Sequence, residues 1–505
     1  MQLVGDSRYF VGADLGMVNS VLAYTDEEGI VSVQRWQDGQ TKFPSAILLT
    51  PRGKYAGQEI FTRMKSEPKY HYENCFKRMM GTTHKEKIFN VDYTPTEMCS
   101  MVLKKMVRSF EEEHGERVER IVLAVPSDFG GAEREAAYKS AYLAGIREIQ
   151  ILNESDAAAI AYCHDTPDFR GNVAIYDMGG GTFDVTIIAV SDSGFTVKSN
   201  EGSKYLGGRD WDLHLASIIQ KKVVKISGIK PHELDGMSEV RKKILEEAER
   251  LKILLDRVEE ASGSVDLGGN EIHFTVTREE LNSSTESLIE KTIEMIGSAI
   301  TNAGITPNEL DRLVLVGGQS LTPYIWTKIE EAFPAVELMR YDPVNAVARG
   351  AALYARSYFD THDINLTSIL SKTYGLKMGI DGTERVCNIL YRNVQLPIKR
   401  TVICRPKMDD QETLSIEVYE NKSDVTVPDS EVNHSRLINR FSIPLTGKIT
   451  RGKTKITIEM ESNYEGIVVI TTTCNGDVQK CDLGKDIYLP DEEFRTSMMK
   501  VASVL

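Results

Sequence analysis

A chain of 505 residues with a formal net charge of −14 at pH 7 is too long for one hydrophobic core and too acidic for nucleic-acid backbone to be its main ligand. Its composition, 41% hydrophobic and 27% charged, is that of a folded protein and excludes wholesale disorder. Seven scattered cysteines without metal-ligand spacing predict free or buried thiols, and the lack of a leader or a membrane-spanning run predicts a soluble cytoplasmic protein.

From Tyr9 to about Arg356 helices and strands are mixed. Strands are predicted at Tyr9–Gly12, Ser20–Tyr24, Arg120–Val125, Asn172–Asp177, Asp184–Val190 and Arg312–Val316. Helices are predicted at Pro95–His114, Ala132–Ala144, Ser155–His164, Ser238–Val258, Arg278–Ala303 and Asn345–Phe359. Thr361–Leu370 has no helical period and reads as a linker. Beyond it come short alternating runs at Thr401–Cys404, Thr413–Tyr419, Arg440–Ile443, Lys455–Met460 and Ile467–Thr473, separated by turn residues, which predict an all-β sandwich. Pro490–Leu505 has room for one short helix. The expected organisation is an α/β domain over 1–360, a linker over 361–372, a β sandwich over 373–490 and a short tail over 491–505 with no helical lid.

Two segments share one grammar, a β run, an Asp, glycines and a returning β run: Tyr9–Tyr24 and Val173–Ile188. Such a turn presents bare backbone N–H groups to a phosphate while its Asp faces a hard cation. Asp14 and Asp177 are therefore the candidate metal carboxylates, with an Asx-turn Asp as the plain alternative for either one alone. Gly179, Gly180, Gly181 and Thr182 form the strongest phosphate signal, because three glycines weaken a strand and a bland hairpin rarely keeps them. Asp184 stands where it would orient an attacking water. Gly317 and Gly318 end a predicted strand, the place where an α/β fold binds nucleotide.

These residues resemble the DnaK-type heat-shock chaperones, the seventy-kilodalton family, which has an actin-like two-lobed ATPase domain followed by a β-sandwich domain. The resemblance rests on Gly12-Ala13-Asp14-Leu15-Gly16-Met17-Val18-Asn19-Ser20, Phe76-Lys77-Arg78-Met79-Met80-Gly81, Val125-Pro126-Ser127, Asn153–Tyr162, Asp177–Val185 and Leu315-Val316-Gly317-Gly318. Tyr205-Leu206-Gly207-Gly208 and Asp342–Ala352 support it, and the sandwich contributes Asn393–Pro397 and Val418–Asn421. It implies ATP or ADP with Mg²⁺ as cofactors, extended apolar peptide as client, and co-chaperones as partners. It implies further that Lys77 sits at the γ-phosphate and that Glu154 lies near the metal and the attacking water. Glu249 and Lys252 would contact the ribose. Gly16, Gly207, Gly208, Gly317, Gly318 and Asp342 would complete the cradle. For the peptide pocket the candidates are Tyr374, Leu376, Ile380, Ile403, Ile416 and Val418, which serve equally well as sandwich core.

The departures from the family pattern are as informative. Met17 and Val18 replace two hydroxyl residues of the first phosphate loop, which preserves backbone donors and removes side-chain ones. One such donor is worth a factor of about 100–1,000 in rate. Ile253, Asp256 and Leu321 replace the groups that usually enclose the base. The expected function is a lidless, nucleotide-controlled chaperone with slow Mg²⁺-dependent ATP hydrolysis. The alternative is a hydrolysis-deficient member that keeps nucleotide as a structural cofactor and acts as a regulatory or scaffold partner. A sugar kinase or a filament of the same fold would have no need of the β-rich segment.

Overall fold

A computed structural model describes residues 8–74, 76–380, 383–482 and 491–504. Cys75 lies outside them, and so does the side chain of Ile380. By compactness the chain forms two units, one of Met1–Gly171, Thr186–Asn200 and Asn345–Leu505, the other of Asn172–Val185 and Glu201–Val344.

In the first unit a mixed sheet runs in the order Glu148–Asn153, Arg120–Val125, Phe10–Asp14, Asn19–Thr25, Val31–Val33, with Phe43–Pro44 also on Asn19–Thr25. The first three strands are parallel, and Phe10–Asp14 turns back on Asn19–Thr25 with Asp14 opposite Val21. Four helices frame it. Pro95–His114 begins at a capping box of Thr94 and Glu97 with Pro95 in its first turn, and ends at Gly115 in the left-handed region. Gly131–Ala144 packs beside it. Ala346–Arg356 crosses Glu154–Asp165 so closely that a Cβ on Gly350 would stand 1.7 Å from the Ala157 carbonyl oxygen. The predicted helix over Asn345–Phe359 is thus shorter at both ends and runs on as a π turn, Ser357–Thr361.

The β-rich segment belongs to this unit. One antiparallel sheet contains Thr373–Ile380, Thr383–Leu390, Thr413–Asn421 and Arg436–Pro444, and a second contains Ile398–Cys404, Ile456–Ser462, Val468–Cys474 and Asp477–Asp482. Leu376, Ile416 and Val418 from the first share one core with Ile458, Met460 and Ile470 from the second, the arrangement of a sandwich. The linker is more ordered than its sequence suggests, since Leu366–Thr367 pairs in parallel with Phe195–Thr196.

The sandwich sits on the sheet-and-helix lobe through polar contacts that range from buried to half-exposed. Lys372 pairs with Asp128, and Lys422 reaches the same carboxylate at 2.9 Å. The Gly131 N–H donates to the Tyr374 hydroxyl at 2.8 Å. Arg436 donates to Glu133 and, at 2.9 Å, to the Gly81 carbonyl. Helix Asp491–Ala502 returns to the same lobe, where Lys500 (2.9 Å) and Ser497 (2.7 Å) donate to the buried Glu97 and Val501 enters the core.

In the second unit Arg312–Val316 lies parallel between the strand Gly171–Met178, which it meets over Val173–Asp177, and Glu337–Arg340. Its helices include Gly208–Ser227, Ser238–Leu255 and Arg278–Asn302, the last opened by a Thr277–Glu280 capping box, and a hairpin of Glu260–Asp266 with Glu271–Thr277 packs on them. Among the described residues all six cysteines are free, and no helix is long and apolar enough to cross a membrane.

Candidate functional site

The first unit gathers three of the predicted residues. Asp14 ends its strand, and the chain reverses through Leu15–Val18 so tightly that a Cβ on Gly16 would meet the Asn19 carbonyl oxygen at 2.1 Å. Met17 is buried at 5% exposure, while Val18 stands 38% exposed. Lys77, in the 3₁₀ turn Phe76–Met79, donates to Glu154 Oε1 at 2.8 Å, with both side chains below 10% exposure (7% and 9%). Glu154 opens its helix, where the dipole favours a carboxylate. The Lys77 ammonium lies 5.8 Å from the centre of the Phe129 ring. Beneath the site Ser127, Ser155 and Thr186 share hydroxyl contacts of 2.6 and 2.7 Å, and Asn200 donates to the Ser127 carbonyl.

Charge in this cluster is out of balance. Burial first, and the Glu154 charge second, push the Asp14 carboxyl up to about 7 against the pull of Lys77. Burial alone would lower the Lys77 ammonium, but Glu154 and Asp14 outweigh it and leave it raised. A desolvated carboxylate beside a second one fits a hard cation that takes its remaining ligands from phosphate and water. Among the described residues no group of three or more His, Cys, Asp or Glu could hold a metal by itself.

The second unit gathers the glycine turns. Gly179 N–H closes on the Thr182 carbonyl at 3.1 Å, leaving Gly180 and Gly181 at the tip. Gly208 and Arg209 donate to the carbonyls of Gly179 and Gly180, so the segments run backbone to backbone. A Cβ on Gly207 would lie 2.7 Å from Gly181 backbone atoms. Gly317 adopts φ +83°, where a Cβ would strike Met178 O at 2.4 Å and Asp177 Oδ1 at 2.6 Å, so only glycine fits. Gly318 opens the 3₁₀ turn that follows. Asp177 and Asp184 are buried, and Asp342 sits at φ +30°, a backbone angle uncommon outside glycine.

Glu249 and Lys252 share one turn of Ser238–Leu255, as expected, but Lys252 closes on Asp212 at 2.7 Å and on the Gly208 carbonyl at 3.2 Å. Asp212, the partner of Lys252, is a candidate that sequence reasoning missed. Its signal was its place four residues after Gly208 on helix Gly208–Ser227. Burial raises the Asp212, Glu249 and Asp256 carboxyls, and Lys252 opposes this in each. Ile253 and Leu321 are 56% and 43% exposed, apolar surface of the kind that packs on a base.

The sandwich has a cavity of about 610 Å³ lined by Leu376, Met378, Cys404, Leu414, Ile416 and Ile458 among others. Of the candidates for peptide contact, Leu376 and Ile416 line it. Tyr374 and Val418 lie in the core instead, the former with its hydroxyl at Gly131, and Ile403 is 53% exposed on an outer strand. The missed feature here is the polar seat of the sandwich, Asp128, Arg134, Lys372 and Arg436, whose contacts span hundreds of residues.

Known proteins bear on the assignment. The model of the Hsp70 protein family matches residues 86–500, a span that begins after Lys77. The chain is 29% identical over 480 residues to the chaperone protein DnaK of Thermosipho africanus, covering 93% of this chain and 78% of that one. It is 29% identical over 477 residues to the chaperone protein DnaK of Thermotoga neapolitana and to that of Thermotoga maritima, in each case covering 92% of this chain and 78% of the relative.

Proposed function

We propose that this chain, which belongs to the Hsp70 protein family, is a nucleotide-controlled chaperone that binds extended apolar peptide in its sandwich. The observation that carries this reading is a physical link from the phosphate-site lysine to the sandwich. Phe129 faces Lys77, and its carbonyl accepts from Arg134 Nε at 3.0 Å. Arg134 in turn donates to Ser371 Oγ at 3.0 Å, at the entry to the sandwich. A nucleotide that draws Lys77 toward its phosphates acts on one end of that chain, and the seat of the sandwich is the other.

The residues have distinct parts to play. Lys77 brings a fixed positive charge to the phosphates and holds Glu154 in place beside them through its hydrogen bond. Asp14 in the first unit and Asp177 in the second are each a carboxylate of the kind that holds Mg²⁺, which would neutralise phosphate charge when bound. The Gly179–Thr182 turn offers backbone donors, and Gly207, Gly208, Gly317 and Gly318 permit close approach. Asp184 and Thr182 are the groups for positioning water, and Asp342 and Gly16 complete the cradle. Leu376 and Ile416 offer apolar surface to a peptide.

Met17 and Val18 favour a second reading, in which nucleotide binds and hydrolysis is lost. The two are separated by calorimetry with ATP and ADP beside single-turnover hydrolysis, in the wild type and in Lys77→Ala. The chaperone reading expects nucleotide binding, slow turnover that Lys77→Ala abolishes, and weaker peptide binding with ATP than with ADP. Tight binding without turnover establishes the second reading. Absence of nucleotide binding overturns both.

A further inference from the structure

A second cavity, of about 390 Å³, lies where the lobe, the linker and the sandwich of the first unit meet. Its lining includes two carboxylates, Asp156 and Glu465, and three tyrosines, Tyr354, Tyr358 and Tyr464. Asp156 is 1% exposed. Its Oδ2 accepts from Asn153 Nδ2 at 2.9 Å and from Ser368 Oγ at 3.1 Å, whereas its buried Oδ1 accepts no hydrogen bond among the described residues. A buried carboxylate oxygen left without a donor is costly, and a ligand that supplies one recovers the loss.

We propose that this cavity binds an alkylammonium or guanidinium group, with Asp156 Oδ1 and Glu465 as its acceptors and the tyrosine rings as its walls. The chemistry selects the class. Two carboxylates against the single guanidinium of Arg134 leave the lining net acidic, which rejects phosphate and carboxylate ligands. Arg134 serves the frame, donating to Phe129 O, Asn153 Oδ1, Ser371 Oγ and Glu465 O. Tyr354 and Tyr358 stand one helical turn apart with ring centres 6.0 Å from each other, and such faces attract a desolvated cation. Burial raises the Glu465 carboxyl, with the Asn463 hydrogen bond and then the Arg134 charge pulling the other way, as expected of an acid that lacks a full counter-charge.

The position of the cavity gives the ligand a consequence. Helix Glu154–Asp165, Tyr354 and Tyr358 belong to the lobe, while Leu396 and Asn463–Gly466, with Tyr464, belong to the sandwich. The cavity is complete only while the sandwich is seated, so its ligand stabilises the seated form by mass action. The cation has two possible sources, a free amine or a basic side chain on a partner peptide.

Calorimetry on the full chain tests this with agmatine, with the amidated peptide Gly-Gly-Arg-Gly-Gly, and with the same peptide carrying citrulline, which is neutral and isosteric. The expected result is binding of at least one guanidinium probe, about tenfold or more weaker binding of the citrulline peptide, and a similar loss in Asp156→Asn and Glu465→Gln. Binding of agmatine assigns a free amine, and binding of the arginine peptide alone assigns a partner side chain. Asp156→Asn keeps the acceptor for Asn153 and Ser368, and circular dichroism checks its fold. If it does not fold, Glu465→Gln and Tyr358→Leu carry the test. Binding of neither probe, equal binding of the citrulline peptide, or unchanged affinity in the folded variants overturns the proposal.

Discussion

Tyr374→Phe removes one oxygen atom and distinguishes two roles for one residue. Tyr374 is 1% exposed, and its hydroxyl accepts the N–H of Gly131, the first residue of helix Gly131–Ala144. That N–H belongs to the first turn, where no carbonyl within the helix is available to it. Without the hydroxyl the donor has no partner while the sandwich is seated, and regains water when the sandwich lifts. The cost of such an orphaned group is about 1–3 kcal/mol, and partial burial of Gly131 places it toward the lower end, about 1–2 kcal/mol. The equilibrium between seated and lifted sandwich then moves by about 5- to 30-fold toward lifted.

Amide hydrogen exchange reads this directly. In Tyr374→Phe the Gly131 amide and the linker amides around Leu366–Lys372 are expected to exchange faster by that factor, with peptide affinity in ADP unchanged. Unchanged exchange at Gly131 together with a fall in peptide affinity would refute the reasoning. It would place the Tyr374 hydroxyl at the client, one of the two roles that the sequence leaves open.

Restoring hydroxyls to the first phosphate loop separates rate from stability. Val18→Thr is isosteric at a 38% exposed position and is expected to speed single-turnover hydrolysis by up to about 100-fold, whereas Met17→Thr, at a 5% exposed one, should lower the melting temperature through a cavity costing about 2–5 kcal/mol. Gly350→Ala drives a methyl to within 1.7 Å of the Ala157 carbonyl, so a loss of about 4 kcal/mol or more and failure to give soluble protein are expected. Gly297→Ala, in open space on helix Arg278–Asn302, is its control and should gain up to about 1 kcal/mol in thermal unfolding. The Asp128 carboxyl is raised by burial but held net below its ordinary 3.8 by Lys372 and Lys422. A depressed folded value means that its contribution to seating is complete above 3.8 and is lost as pH falls through the lower folded value. After division by the intrinsic base-catalysed exchange rate, the Asp128 share of linker protection should therefore be constant above about pH 5 and be lost only in stronger acid, and Lys422→Gln should move that loss to higher pH.

What was legible in the sequence was local. Helix Pro95–His114 could be placed to the residue because Thr94, Glu97, Pro95 and Gly115 each act within one turn of its ends. The strands flanking Asp14 and Asp177 were legible because each β run ends at an Asp with a Gly two residues on. The hairpin Thr373–Ile380 and Thr383–Leu390 was not, since Gly375 and Gly379 dilute the β pattern of its first strand. The pairing of Lys77 with Glu154 spans 77 positions, and periodicity carries no information over that distance, so only family resemblance could suggest it. Asp156 shows the limit most sharply. In the sequence it is an acid in the first turn of a helix, and the helix dipole is a sufficient reason for it. Because the local explanation is complete, nothing in the sequence prompts a search for another. The unpartnered Oδ1 is a fact of the linker and sandwich closing over it, and chain order does not encode which donors that closure leaves out. Residues with a sufficient local explanation and a tertiary role that chain order does not encode are therefore where a structure adds most to a sequence, and Asp156, Asp212 and Tyr374 are all of that kind.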